Sequence, residues 1–161
     1  MASTSGASSS REPQPGGWGE LPEVLFERVM EKMGWARSDS AAVRSVSRWW
    51  RALHDKHCKR LTCRPGVTDE AFRTICGRLP ALTCLNLGWV KSMTADGLRA
   101  VGGLTNLTNL YFISCDKVTD TVLRDLRGLT ALRLLHLHNT STSGAGHLAL
   151  KAAIPGLVIK V

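Results

Sequence analysis

The chain has 161 residues, of which 43% are hydrophobic, 21% charged and 6% aromatic. That length allows one ordinary domain, or a small domain with a short second unit. The hydrophobic share is too high for a fully disordered chain, and no run approaches the roughly 18 apolar residues of a membrane-spanning helix. The formal net charge of +8 is divided evenly, because residues 18–64 and residues 65–161 each carry ten basic and six acidic side chains. The excess therefore forms no separate basic arm, and it favours weakly acidic partners over a membrane.

Residues 1–17 are rich in Ser, Gly, Ala and Pro and almost free of apolar side chains. Such a segment cannot bury enough surface to offset the entropy of ordering, so we predict a disordered tail. It faintly resembles an organelle transit peptide but carries a single Arg. No apolar secretory segment follows the first methionine, and five cysteines stand at uneven spacings. We therefore expect reduced thiols and a cytoplasmic or nuclear location.

Residues 18–64 have helical patterns. A first helix is predicted from Pro22, which suits the first helical position, to Gly34, a typical helix end. A second helix is predicted after Ser38 or Asp39, either of which can cap it. Apolar side chains recur at helical spacing on both: Leu21, Leu25, Val29 and Met33, then Val43, Val46, Trp50 and Leu53. So short a helical unit needs a neighbour to cover its apolar faces.

Residues 67–161 repeat with a period of 25 residues. Each unit carries an L-x-x-L-x-L pattern: Leu82, Leu85, Leu87; Leu107, Leu110, Phe112; Leu132, Leu135, Leu137. Apolar residues at helical spacing precede each pattern: Phe72, Ile75, Leu79; Leu98, Val101, Leu104; Leu123, Leu126, Leu129. One short strand and one helix per unit bury their apolar faces only by stacking on neighbouring units. The pattern is typical of leucine-rich repeats, and it predicts an α/β solenoid of about four strand–helix units over residues 65–161.

Threonine and aspartate recur where each helix begins, as Thr68-Asp69, Thr94 to Asp96, and Thr119-Asp120. Acids at regular intervals could form a carboxylate active site, but along one edge of a solenoid we predict that these residues cap helix N-termini. Cys115 follows Leu107 by eight residues. We predict that it is a buried side chain that packs the turn, with Val90 and Thr140 in the equivalent positions.

The segment W-G-E-L-P-E-V-L-F-E-R-V-M and the later V-S-R-W-W-R-A-L resemble the F-box family. That family has a Leu-Pro start, an apolar helix and then Val-Cys-Lys-x-Trp-Arg-x-Leu. Leu21 and Pro22 match the start, and Ser47 replaces the usual Cys of the second motif. The match covers residues 18–53 within an F-box-like helical domain at 18–64, and an F-box followed by leucine-rich repeats is a familiar combination.

The resemblance implies a substrate-recognition subunit of an SCF-type ubiquitin ligase, which acts in ubiquitin-dependent protein degradation. The F-box would dock on the Skp-type adaptor of the cullin-based complex, and the repeats would bind the protein to be ubiquitinated. The implied adaptor-binding residues are Leu21, Pro22, Leu25, Val29, Val46, Trp50 and Leu53. The alternative for this apolar face is that it packs only on the first repeat, and both arrangements can hold together.

The strand alternation predicts which repeat side chains face a partner. Because Leu85 and Leu87 point inward, the residues between and beside them point outward. The predicted substrate-binding residues are Asn86, Asn109, Tyr111, His136 and His138. His136 and His138 have a spacing that suits a metal, but a third ligand is lacking, so we expect neither a metal nor another cofactor.

Enzyme chemistry has little support in the sequence. It contains no phosphate-binding glycine loop, no serine in a nucleophile elbow and no His–Cys pair with an orienting acid, so we predict a non-catalytic protein. One alternative function is a leucine-rich-repeat interaction scaffold without a role in ubiquitination. A less favoured alternative, binding of nucleic acid, is supported by the charge of +8 and by R-W-W-R.

The last strand departs from the repeat. Leu157, Ile159 and Val161 alternate, yet Lys160 falls at the position of Leu135 when the period of 25 is kept. We predict that this strand has lost a residue or its register. Its open edge would favour pairing with another chain.

Overall fold

The computed structural model describes Leu25, Arg28, residues 48–63 and residues 65–161. Leu25 and Arg28 are helical. From residue 48 onward the elements are α1 (Arg48–His57), β1 (Arg60–Thr62), α2 (Asp69–Arg78), β2 (Cys84–Gly88), α3 (Ala95–Leu98), β3 (Asn109–Thr119), α4 (Asp120–Asp125), β4 (Leu134–Ser141), α5 (Gly144–Ala153) and β5 (Val158–Lys160). The predicted tail at 1–17 lies outside the described residues, and so do Leu21, Pro22, Val29 and Val46. No helix in the described part is long and apolar enough to cross a bilayer.

The five strands form one parallel sheet in chain order, β1-β2-β3-β4-β5. Leu85 aligns with Leu110, and Leu110 aligns with Leu135, as the period of 25 residues predicts. A helix lies in each connection after β1, and 3-10 turns at Arg99–Gly103 and Leu126–Gly128 extend the short helices α3 and α4. The repeated strand–helix unit confirms the α/β leucine-rich-repeat architecture.

Leucines on the inner side of the sheet form the core. The nine residues of the three L-x-x-L-x-L patterns are at most 1% exposed. Phe72, Val101 and Leu126 on the helical side are 0% exposed and belong to the same cluster. Burying one such side chain contributes roughly 1.5–3 kcal/mol relative to leaving it in water, so stacking of units is the main source of stability.

Strand β1 lies inside the segment that the sequence predicted to be helical. Arg60 pairs with Cys84 and Leu61 with Leu85, and Leu61 packs against the core cluster. The sheet therefore has five strands, one more than the four that the repeats predict. Only one apolar residue faces inward in a strand of three residues, so no periodic pattern marked it.

Threonine capping is as predicted at two of the three helix starts, and Cys115 is buried as predicted. Thr68 and Thr94 occupy N-cap positions and accept hydrogen bonds from the N–H groups three residues later. Cys115 is 2% exposed, and its Sγ donates to the carbonyl of Leu87 at 2.9 Å. Thr119 also holds an N-cap position, but its side chain makes no capping hydrogen bond.

The final unit is one residue shorter than the two units before it, and it has the same 24-residue spacing as the unit from Leu61 to Leu85. Ile159 pairs with Leu135, and Lys160 pairs with His136. Ile159 therefore takes the inward position, where it packs against the core cluster. Of the two alternatives, loss of one residue is the one observed: the strand keeps its register, and Lys160 points away from the core.

Candidate functional site

The side of the sheet away from the core presents ordered rows of side chains. We define the outward face as Arg60, Thr62, Cys84, Asn86, Gly88, Asn109, Tyr111, Ile113, Leu134, His136, His138, Val158 and Lys160. Along β2, β3 and β4 these residues alternate with buried ones, as the two-residue period of a strand requires. All five predicted substrate-binding residues lie on this face. Their predicted orientation and register are confirmed, and their binding role remains a prediction.

The middle row of the outward face crosses all five strands. It consists of Thr62, Asn86, Tyr111, His136 and Lys160. The Tyr111 and His136 rings meet edge to face with centroids 6.1 Å apart, and His138 follows at 6.4 Å from His136. The edge-to-face arrangement is favourable for aromatic rings. The centre of the face is therefore aromatic, with an amide beside it.

The outward face contains no acidic side chain. Arg60 and Lys160 are exposed on the two edge strands. The acids nearest to this face lie outside it: Asp96, Asp120 and Asp125 lie on helices, and Asp116 lies in the part of β3 beyond the turn at Ser114. Asp96 and Asp125 form ion pairs with Arg99 on the helical side, and the charged side chains of the outward face are both basic.

Trp89 is a candidate that the strand pattern did not indicate. It follows β2 directly, is 60% exposed and has a φ of 61°. Ser114 and Asn139, at the equivalent positions, have similar positive φ values. A bulky residue rarely adopts this conformation, which Asn tolerates better. The Trp89 N–H donates to the carbonyl of Ile113 at 2.8 Å, so an exposed aromatic side chain is held at the end of the outward face. The sequence did carry a signal for this residue, because Trp89 stands at the repeat position that Ser114 and Asn139 hold in the next two units.

The recurrent acids link neighbouring units. Asp69 accepts hydrogen bonds from the backbone N–H of Thr94 at 2.9 Å and from its hydroxyl at 2.5 Å. Asp120 accepts the same two bonds from Ser143, at 2.8 and 2.5 Å. These bonds hold the pKa of each carboxyl below its ordinary value. The prediction that the acids cap their own helices needs correction, because Asp69 and Asp120 bind the N-cap residue of the next helix.

Two glycines make room for these carboxylates. A Cβ on Gly97 would collide with the Asp69 carboxylate, and a Cβ on Gly146 would collide with that of Asp120. We call these two contacts the Asp–Gly interlocks. The interface between α3 and α4 has no such contact, since Ala95 replaces the acid and Val122 the glycine. At each of these three interfaces the aspartate and the glycine are either both present or both absent. This joint occurrence was visible in the sequence.

A hydroxyl, an imidazole and a carboxylate also meet at the start of α5, yet they do not form a catalytic triad. A nucleophilic serine must direct its O–H toward a general base. Ser143 instead donates to Asp120, and the same oxygen accepts from the Gly146 N–H as a helix cap. The His147 Nε2 is 2.9 Å from Thr142 Oγ1. The cluster is a helix terminus whose hydrogen bonds are satisfied.

Three of the cysteines have environments that disfavour the reactive thiolate. Burial raises the pKa of Cys63 to about 11 and that of Cys76 to about 12, and it also raises the pKa of Cys115. A reactive cysteine needs the opposite shift. In the described ranges, no group of three or more His, Cys, Asp or Glu side chains could hold a metal ion, and His136 and His138 lack a third ligand there.

Helix α1 carries the described part of the predicted adaptor-binding motif. Trp50 is helical, and Leu53 is 8% exposed, whereas Leu25 is 43% exposed. Asp55, 5% exposed, forms an ion pair with Arg78 of α2 at 2.8 Å. Helix α1 is therefore attached to the first repeat, and the burial of Leu53 favours internal packing for this side chain.

No family model matches the chain. The chain is 33% identical over 113 residues to the Putative RNA-binding protein EEED8.10 of Caenorhabditis elegans, a match that covers 65% of this chain and 15% of that protein. It therefore spans a small part of the relative's length. A solved structure of the Leptospira interrogans LRR protein LIC12759 aligns with a TM-score of 0.40 and 17% identity, over 63% of this chain and 29% of that chain.

Proposed function

We propose that the protein is a non-catalytic interaction module that binds a protein partner on the outward face of its leucine-rich repeats. The supporting observation is the middle row, in which Asn86, Tyr111 and His136 stand side by side across adjacent strands. The inward residues explain the fold, but packing gives no reason for these three. Tyrosine provides large contact area at a low entropic cost and is enriched among binding anchors.

The size of the outward face favours a short segment of the partner. Five strands separated by about 4.8 Å span about 19 Å, and five residues along a strand span about 13 Å. The footprint is then roughly 250 Å², well below the roughly 800 Å² per partner of a standard interface. A short peptide segment fits this area better than a folded domain.

Tyr111→Ala tests this proposal. Affinity purification from extracts of the source organism, quantified by mass spectrometry, should show partners that the wild type retains and the variant loses. Leu148→Ala is the matched control, since Leu148 is 71% exposed on helix α5. Identical retention by wild type and both variants would contradict the assignment of the outward face.

The more specific proposal is that the chain is the substrate receptor of an SCF-type ubiquitin ligase. Its support is the order of the F-box-like motifs in residues 18–53, together with a repeat domain directly after them. Changing both Leu21 and Pro22 to Ala should abolish co-purification with a Skp-type adaptor while circular dichroism stays unchanged. Unaltered adaptor binding would refute this role and leave the interaction scaffold in place.

RNA binding is the second candidate. The name of the C. elegans relative and the net charge of +8 favour it. Electrostatic binding to phosphates weakens steeply as salt rises. Titration of a twelve-nucleotide single-stranded RNA at 50 and 200 mM salt would detect such binding, and no measurable affinity at the lower salt would exclude this function.

A further inference from the structure

We infer that the outward face binds an extended, acidic peptide segment. This inference rests on the proposed interaction role and adds the chemistry of the partner. It follows from the distribution of charge on the face, from the spacing of its two fixed cations and from the position of the two histidines.

Charge complementarity identifies the partner. The outward face has 13 residues, including Arg60 and Lys160 and no Asp or Glu. The two repeat interfaces with Asp–Gly interlocks place their acids at helix starts, where hydrogen bonds from Thr94 and Ser143 occupy them. No carboxylate of the face itself would repel an anionic segment or neutralise Arg60 and Lys160.

The two fixed cations set the direction and length of the segment. Arg60 lies on β1 and Lys160 on β5, about 19 Å apart across the strands. An extended peptide rises about 3.3 Å per residue, so about six residues cover this distance. Acidic residues near both ends of such a segment would meet the two cations while its middle crosses Tyr111 and His136.

The end of the face offers an apolar contact beside this path. Gly88 has no side chain, and a Cβ there would find only ordinary contacts with Asn86 and Ile113. Trp89 follows it and is 60% exposed. The uncovered backbone of Gly88 leaves room for an apolar side chain of the segment to pack on the Trp89 ring.

The two histidines can donate ring N–H groups to a carboxylate where the segment crosses. The neighbours that face His136 are Tyr111 on β3, His138 on its own strand and Lys160 on β5, and Ile113 pairs with His138. None of these neighbours is acidic, so a carboxylate of the segment would meet no like charge beside the histidines.

A protein segment explains the face better than single-stranded nucleic acid does. Nucleic acid carries a charge at every nucleotide and requires a positively charged groove along its whole path. The outward face offers two fixed cations at opposite edges, with aromatic and amide groups between them. A segment with a few acidic residues matches this spacing.

A random decapeptide library displayed on phage, selected against the full chain at pH 6, tests the inference. The selected peptides should be enriched in Asp and Glu. By fluorescence anisotropy, the affinity of the best selected peptide should fall about threefold or more when its Asp and Glu are changed to Asn and Gln, because each exposed ion pair contributes roughly two- to fivefold.

Charge reversal supplies the matched comparison. Changing both Arg60 and Lys160 to Glu should weaken the selected peptide about tenfold or more, whereas Lys151→Glu on helix α5 should change its affinity less than twofold. Thermal melts of each variant verify folding.

Three results would overturn the inference. Selected peptides that are neutral or basic, yet lost on Tyr111→Ala, would refute the acidic partner while supporting the interaction face. No selected peptide, or peptides unaffected by Tyr111→Ala, would refute both proposals. The third result has two parts: no peptide is selected, and the twelve-nucleotide RNA binds to the wild type but not to the variant with both Arg60→Glu and Lys160→Glu. This result would assign the face to nucleic acid.

Discussion

Leu110 and Tyr111 are adjacent on β3 and point to opposite sides of the sheet, so truncating each to alanine should have very different consequences. Leu110 is 0% exposed and belongs to the core cluster. Leu110→Ala removes three buried carbon atoms and leaves a cavity, which typically costs 2–5 kcal/mol. Tyr111 is partly exposed, and its described aromatic contact is the edge of His136. Tyr111→Ala should therefore cost about 1 kcal/mol.

These costs translate into separable melting temperatures. For a chain of this size, each 1 kcal/mol shifts the Tm by about 2–4 °C. At a mid-range cost of about 3.5 kcal/mol, Leu110→Ala should lower the Tm by about 10 °C, and Tyr111→Ala by about 3 °C. Differential scanning calorimetry on both variants gives the comparison, and urea titration at 25 °C checks its order. Equal destabilisation would mean that Tyr111 is a core residue and that the outward face is assigned to the wrong side.

Three further outcomes follow from the same structure. Gly97→Ala should lower the Tm more than Gly103→Ala, because a Cβ at position 97 meets the Asp69 carboxylate and one at 103 meets nothing within 4 Å; Asp69→Ala in the same chain should recover the loss, and no recovery would contradict the interlock. The pKa of the Asp69 carboxyl is lowered in the folded state. The ionised carboxyl therefore stabilises the folded protein above the unfolded pKa of about 3.9, and this stabilisation is lost as the pH falls through the folded pKa. The Tm difference between wild type and Asp69→Ala should accordingly shrink from pH 6 to pH 3. At pH 8, iodoacetamide should modify the partly exposed Cys84 before Cys63, whose pKa burial raises to about 11, and mass spectrometry of the native protein would show the reverse order if Cys63 were accessible.

The repeat architecture could be predicted because its determinants recur. One leucine can lie anywhere, but leucines 25 residues apart in several units fix both the strands and their register. The orientation of Tyr111 and His136 followed from that register. Strand β1 could not be predicted, because it has a single inward residue, Leu61, which aligns with Leu85 through strand pairing and not through a repeated pattern.

The contacts between units were harder to predict for a different reason. Asp69 and Thr94 are each common residues at a helix start, so capping of a single helix is enough to explain why each occurs there. Their hydrogen bond joins two units, and only the collision at Gly97 shows that the pairing is specific. Local propensity describes single helices, whereas this contact depends on how closely two helices approach.

The candidate site was predicted in part. Strand alternation gave the aromatic centre of the outward face, but both fixed cations depended on unpredicted details. Arg60 lies on the strand that had no pattern, and Lys160 points outward because the last unit is one residue short. Trp89 has an unusual backbone conformation that no propensity favours.

The Asp–Gly interlocks have a consequence for how this protein can change in length. They occur between α2 and α3 and again between α4 and α5, while Ala95 and Val122 hold the corresponding positions between α3 and α4. Deleting only the repeat that contains α3 would place Asp69 next to Val122. The Val122 side chain would then occupy the space that the Asp69 carboxylate needs. Deleting the units of α3 and α4 together would set Asp69 against Gly146 and preserve the fit. Gene duplication or protein engineering should therefore lengthen or shorten this solenoid most readily by two repeats at a time.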